Sequence, residues 1–553
     1  MTTEINNFCH ILENFHKKLV FDGQIDHNKA NMNSIVNIKY YDSSLYDCEI
    51  ATLYRNEYSA LEIWRNIFNG EFFELKHPIK NNIMTRAVYA ITTVDSMNAI
   101  FFIDADNKNP WLCINVFGFA YGMFIDGSFF SPEKYIVTPS NSGSRLMRRK
   151  MINAALEILP HKQYLKYDNN PFHIHLCWNR PFHHFLDDLT CLYSLDLLNS
   201  QQKIAGRGFW LPHNTNVSLR GIPIVPRLNR FFAQKFLEET YRYVNNMTLE
   251  HSLIAKIDGF SEANYLTIWL GIPGERRAWL NQLEGIPSIL KNIAKYFSKI
   301  KVYVDGMTAY DGERIEVADN LKAFESIKAE VDKLNLDIDM ESLSGYDYRT
   351  KICYCSTCDI AISDTGTTAL VPFAVCKKPG VAFSQDAGAT YREALNYQKD
   401  IKSLYAIEEK FLMTVNIRNF LSKDFHIPWQ HLYNLAAQSL DEIKGIKMHR
   451  LDVPPVELVV KQYDLEQELG IKIPIESIAL FDEVKQELNK ISKEQESNKE
   501  LLESIALFDE VKQELNKISK EQKSNKELLT QIISSSMILQ NYVNKKNYKI
   551  NQS

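Results

Sequence analysis

The sequence has no unbroken apolar run of about 18 residues, the length a spanning helix needs, so no membrane span is expected. It has no polybasic block, and its net charge is −5, which argues against nucleic acid as the main partner. The opening residues, MTTEINNFCHILENFHKK, lack the layout of a secretion signal, because Glu4 and His10 fall where a cationic and then a long apolar segment belong. Paired Cys-x-x-Cys elements are absent, and the nine cysteines, an odd number, are scattered. That usage fits reduced thiols in a cytosol better than a disulfide framework. What is present is a composition 45% hydrophobic and 24% charged, suited to packed globular structure. A chain of 553 residues is expected to hold two or three domains.

The stretch Asp359 to Phe383, DIAISDTGTTALVPFAVCKKPGVAF, reads as strand, turn, helix, turn, strand. That is one βαβ unit of a parallel sheet. Its polar turn, Asp364, Thr365, Gly366, Thr367 and Thr368, would lie at a strand's carboxyl end, where such sheets bind ligands. A glycine there lets the backbone approach a ligand, and amides and hydroxyls suit phosphate or sugar oxygens. The same residues could equally serve as a plain helix cap.

Upstream of it, strands are expected at Leu266–Leu270, Ile300–Val304 and Ile338–Leu343, with helices at Leu280–Phe297 and Val317–Leu334. This alternation predicts a doubly wound, Rossmann-like domain over residues 256–452. The loop GIPGERRAW puts Arg276 and Arg277 just beyond a strand, placed for a diphosphate unless they are merely solvated. Asp305 and Gly306, and then Tyr346, end or follow strands on the same edge and could touch a base, ribose or sugar.

Residues 1–255 form a mixed α/β domain, with strands at Ala87–Val94, Ala99–Asp104 and His173–Cys177 and more sheet over Trp111–Phe130. Helices are expected at Ser144–Leu159 and Phe231–Val244, and Gly206–Arg220 reads as a loop. A further helix is expected from Phe182 to Leu198, with Phe182, Phe185, Leu186, Leu189 and Tyr193 on one face. His183, His184, Asp187 and Asp188 lie toward the other face, and i,i+4 spacing sets each histidine against a carboxylate. A histidine oriented in this way can act as a general base; the bland alternative is a solvated helix start. Cys353, Cys355 and Cys358 invite a metal reading with Cys376 as fourth ligand, but no paired spacing supports it, and no metal or cofactor is expected.

Pro454–Pro455 marks an exit to a tail, 453–553, in which residues 476–502 recur as 503–529 with Glu496 replaced by Lys523. Without Gly or Pro and rich in Glu and Lys, the repeat predicts a long helix. Ile478, Phe481, Val484, Leu488 and Ile491 make a coiled-coil-like seam suited to homo-oligomerisation or partner docking. A 27-residue period is about 7.5 turns, so the two copies of the stripe would face opposite ways on one straight helix.

SDTGTTALVPFAVCKKPGVAF is similar to the bacterial heptosyltransferase pattern of Asp-(Ser/Thr)-Gly, an apolar helix, Lys-Pro and an apolar strand. GERRAWLNQ resembles that group's basic donor-phosphate loop, and RPFHHFLDDLTCLYSLD resembles a segment of glycosyltransferase family 61. The resemblances imply a GT-B-like glycosyltransferase with two Rossmann-like domains, metal-independent and inverting. A nucleotide-sugar would sit near Arg276, Arg277 and Asp364–Thr368, and the acceptor would face His183 and His184. The acceptor would be a glycan or lipid-linked, in bacterial surface polysaccharide (capsule, O-antigen or LPS) synthesis. The enzyme would work in the cytoplasm or at the periphery of the inner membrane. The alternatives are a protein-modifying glycosyltransferase, or a non-catalytic nucleotide-sugar-binding scaffold assembled through the coiled coil.

Overall fold

Tyr265–Leu270 (β9), YLTIWL, is buried at all six positions, as a parallel strand covered on both faces must be. In the computed structural model it lies inside a six-stranded sheet. The other strands are Lys299–Val304 (β11), Ile338–Ser342 (β12), Ile360–Asp364 (β13), Gly380–Phe383 (β14) and Leu404–Ala406 (β15). The order is β12-β11-β9-β13-β14-β15, with every pair parallel. The first three strands run outward from β9 in one direction and the last three in the other. That is a doubly wound sheet with its switch point between β9 and β13. The structure describes residues 2–21, 49, 57–70, 72–78, 80–92, 97–116, 119–125, 156–176, 180–198, 204–212, 222–224, 230–252, 264–272, 277–419, 422–478 and 484.

Side chains alternate across this sheet, and the two faces are built differently. Leu266, Ile268, Ile300, Val302, Ile360, Ile362, Val381 and Phe383 meet the helices Gln282–Ile293, Ala318–Asp332 and Trp429–Lys444. The other face carries Trp269 on β9 but only Ala361 and Ala382 on β13 and β14. Those small residues face the cluster that holds Leu370–Val375 and the helix Tyr348–Ser356. Leu370–Val375 was expected as an ordinary helix, yet it winds as a π-helix. Pro372 lies inside it and has no N–H to bond Thr368 O, and at the far end Cys376 N reaches Val371 O, five residues back, at 2.9 Å.

The first half departs from a second Rossmann-like domain among the described residues. Glu74–Lys76 (β1), Met84–Thr92 (β2), Met97–Ile103 (β3), Trp111–Val116 (β4) and Phe119–Ile125 (β5) form an antiparallel meander in chain order. Phe172–Leu176 (β6) lies between Ile204–Gly206 (β7) and Ile222–Ile224 (β8), parallel to both. The expected 206–220 loop holds over residues 207–212, between β7 and β8, and residues 213–221 lie outside the described residues. Of the Ser144–Leu159 helix, residues 144–155 lie outside the described residues.

The two halves share one apolar core. Phe185 packs edge-on to Tyr348 at 5.0 Å, and the helix Arg230–Glu250 contributes Tyr241 and Val244 to the same cluster. A third small sheet follows, with Arg277–Trp279 (β10) parallel to Ser422–His426 (β17), which pairs antiparallel with Met413–Asn419 (β16). Beyond Pro455 the helix Val456–Leu469 returns to this sheet, burying Val456 and Val459 and bringing Tyr463 to 5.2 Å from His426. The repeat's seam falls outside the described residues apart from Ile478 and Val484. Among the described residues, no helix is long and apolar enough to cross a membrane.

Candidate active site

The carboxyl ends of β9, β11 and β13 converge at the switch point. Gly271 N donates to Ile362 O at 2.9 Å, and Asp305 N donates to Leu270 O at 2.9 Å. A Cβ on Gly271 would come to 2.0 Å from Ser363 Oγ, so glycine is what lets the two strand ends touch. The β9–β13 pairing of Ile362 with Leu270 brings the start of the 271 loop and the 364–368 turn to one edge, and residues 273–276 of that loop lie outside the described residues.

Within the turn, Asp364 and Thr365 are buried, Thr368 and Gly366 are half-buried, and Thr367 is exposed. The Thr368 hydroxyl donates to the Asp364 carboxylate, and Thr365 N donates to Phe383 O at 2.8 Å. Gly366 has φ +94°, a conformation that a side chain would strain. Asp364 and Thr368 therefore shape the turn, while Gly366 and Thr367 are its reachable part.

Arg277 stands in β10, opposite Lys423, rather than in a loop; Arg276 lies outside the described residues. Two residues on, Trp279 donates its indole N–H to Ile427 O at 3.1 Å and packs beneath Gly285.

Asp305 and Gly306 are tied to a residue that the sequence reading passed over. Lys351 is fully buried, with Nζ at 2.7 Å from Asp305 Oδ1, 2.8 Å from Gly306 O, 3.1 Å from Met307 O and 2.8 Å from Thr308 Oγ1. Burial lowers the pKa of Lys351, and the Asp305 carboxylate opposes that shift. Asp347 caps the Tyr348–Ser356 helix at Thr350 N (2.9 Å) and holds Gly312 N (2.8 Å). Tyr346 is half-buried beneath the exposed Arg314 guanidinium, 4.0 Å from its ring centre. This loop is held shut by its own ligands, with Tyr346 and Arg314 at its rim.

The next strand end adds a feature that was not anticipated. After β14, Asp386 accepts from Gly388 N at 2.9 Å and Thr390 Oγ1 at 3.2 Å and pairs with Lys423, at the start of the helix Ala389–Asp400. Gln385, beside it, is 6% exposed, and its side-chain oxygen finds no hydrogen-bond partner. The sequence signal was there: Asp-x-Gly after an apolar run is a capped helix start at a strand's carboxyl end.

The histidine pairs form at their predicted spacing, on a helix that is α over Pro181–His183, π over His184–Leu189 and α over Thr190–Ser194. His183 Nδ1 meets Asp187 Oδ2 at 2.9 Å, with the imidazole 30% exposed. His184 Nδ1 meets Asp188 Oδ2 at 3.2 Å, with the imidazole 0% exposed. Its Nε2 lies 2.8 Å from Trp210 O, and a Cβ on Gly208 would meet its Cε1 at 2.5 Å. The expected polar face is thus largely buried. His184, with both nitrogens engaged, braces the fold, and His183 is the pair member that solvent reaches. The Arg207–Leu211 segment that seals His184 also bonds the candidate edge. Asp311 N donates to Gly208 O at 2.9 Å, and Asp311 Oδ1 takes Arg349 Nε at 2.8 Å.

His173 and His175 do not join these pairs as ligands. Burial pushes His173 down to about 4; His175 is lowered by burial against the opposing charge of Asp188. Among the described residues, no three His, Cys, Asp or Glu side chains are grouped to hold a metal ion.

Fold and edge together define a doubly wound α/β protein with a ligand-type switch point. No family profile and no curated protein matches the chain. Among solved structures it is similar to the catalytic domain of starch synthase IV from Arabidopsis thaliana, solved with ADP and acarbose. That match has 10% identity and a TM-score of 0.20, over 65% of this chain and 76% of that one. It is also similar to TarM, at 13% identity and a TM-score of 0.19, over 78% of this chain and 82% of that one. TM-scores this low carry no argument about fold or activity.

Proposed function

We propose that this protein is a glycosyltransferase that binds a nucleotide-sugar on the carboxyl edge of its six-stranded sheet. The observation that carries the reading is the β9–β13 switch point, with Gly271 against Ser363 and the Asp364–Thr368 turn beside it. Open α/β sheets bind nucleotides at that position. Gly366 and Thr367 would face the diphosphate with Arg276 and Arg277, and Tyr346 with Arg314 would face the base or ribose. Transfer would be inverting and metal-independent, with His183 as general base and Asp187 orienting its ring through Nδ1. The exposure of His183 and the enclosure of His184 support that choice between the two. The acceptor would be a glycan or lipid-linked intermediate of bacterial surface polysaccharide, and the repeat tail would dock a partner or a second copy.

The test is a thermal-shift and calorimetric screen of the full chain against UDP-, GDP-, CMP- and ADP-sugars, since a ligand of the native state raises the melting temperature by mass action. One nucleotide class is expected to stabilise the protein, with the shift lost in a Thr367→Lys variant. No shift with any of the four overturns the proposal.

A further inference from the structure

Four cysteines cluster where the helix Tyr348–Ser356 meets the end of the π-helix Leu370–Val375. Cys353, Cys355 and Cys358 are buried, and Cys376 is half-exposed. The Cys376 thiol reaches Ile352 O at 3.8 Å, one turn before Cys355, and the neighbouring Cys376 sulfur adds to the burial that raises the Cys355 thiol. Two lysines hold this junction together. Lys378 Nζ takes Ser356 O and Cys358 O, each at 2.7 Å, and Lys377 pairs with Glu238 at 2.8 Å. The segment carrying Cys376 is thus pinned against the segment carrying Cys355, with Cys376 half-buried and Cys355 fully buried.

We propose that Cys376 and Cys355 are an oxidation-sensitive dithiol that closes to a disulfide when a hydroperoxide reaches Cys376. The Cys376 thiolate attacks one peroxide oxygen, and the O–O bond breaks. With hydrogen peroxide this yields a sulfenic acid on Cys376 and one water. The Cys355 sulfur then attacks the Cys376 sulfur. The S–O bond breaks and hydroxide departs, taking up the Cys355 proton as a second water. Two electrons pass from the two thiols to the peroxide, and an external dithiol returns them. The new bond joins the helix that carries Lys351 to the segment that begins at the Asp364–Thr368 turn, so both flanks of the candidate edge become one covalent unit. Burial raises the Cys355 thiol well above its usual range. The closing step is therefore the slow one, and it quickens as pH rises.

The experiment treats the full chain with a small excess of hydrogen peroxide, blocks remaining thiols with N-ethylmaleimide and maps peptides without reduction. The expected product is a Cys355–Cys376 linked peptide that dithiothreitol removes. Dimedone is expected to trap a Cys376 sulfenic acid several-fold more at pH 7 than at pH 9. Cys376→Ser abolishes the link, and Cys355→Ser leaves Cys376 as the dimedone-labelled residue at both pH values. The proposal is overturned if Cys376 stays a thiol while the exposed Met84 is oxidised, or if Cys376 links mainly to Cys353 or Cys358. Should Cys355→Ser fail to fold, the wild-type map and the half-exposed Cys376→Ser variant still decide.

Discussion

Two histidine–carboxylate pairs stand one residue apart on one helix, and the fold treats them oppositely. His183 and Asp187 keep an imidazole 30% exposed, whereas His184 and Asp188 are at 0% and 1%. Identical i,i+4 spacing formed both contacts. What encloses His184 is the Arg207–Leu211 segment, which lays Gly208 and Trp210 over its ring. Spacing along a helix therefore fixes which groups meet, and the neighbouring chain fixes which of them a substrate can reach.

The largest expected effect exploits that contrast. Under the proposed function, His183→Ala lowers turnover by roughly 10²–10⁴-fold and costs less stability than His184→Ala, because the half-buried imidazole leaves no sealed cavity although Asp187, 6% exposed, loses a partner. His184→Ala costs about 3 kcal/mol of stability through a cavity and an abandoned buried carboxylate. Full turnover in His183→Ala would sink the base assignment. Equal destabilisation by the two variants would erase the distinction between the pairs.

Lys351→Met extends the comparison to a second sealed group. It strands the Asp305 carboxylate in the interior, at a cost of about 3–5 kcal/mol read from denaturant midpoints. A much smaller loss would mean that the loop beyond β11 is not held by that ammonium. Gly271→Ala is smaller, about 1–3 kcal/mol, because its Cβ must displace Ser363 Oγ. The double variant with Ser363→Gly should recover most of that stability, as the closest clashes are with Ser363 side-chain atoms.

A separate effect concerns sealed histidines elsewhere. Burial pushes His431 from 6.5 to about 4, and its Nε2 accepts Glu408 N at 3.1 Å. His426 is likewise lowered to about 4. Their folded pKa values lie below the unfolded ones, so the unfolded chain takes up protons first. Stability is thus complete above about pH 6.5 and drains away as pH falls toward 4. Melting temperatures measured at pH 7 and pH 4.5 should show the drop, and His431→Gln should flatten it. A His431→Gln slope as steep as wild type would contradict this account.

Much of the six-stranded unit was legible beforehand because buried parallel strands announce themselves as short apolar runs. Ile360–Ile362, Leu266–Leu270 and Ile300–Val304 each fell inside an observed strand. The π-turn after Ala369 could have been read from Pro372. The one at His184–Leu189 has no such residue, and all of its residues are buried. Lys351 escaped notice because a lysine among cysteines gives no sign that four oxygens wait for it 43 to 46 residues earlier in the chain. The Leu404–Ala406 strand is only three residues long, too short to carry a period.

By itself the sequence determined the βα alternation, the turn at Asp364–Thr368 and the pairing of each histidine with its carboxylate, since all three are local matters of period and spacing. Only the tertiary structure decided that β13 lies beside β9, that Lys351 closes the loop at Asp305 and that His184 is sealed while His183 is not. Each of those depends on contacts between segments far apart in the chain, and no local pattern encodes which distant segment arrives.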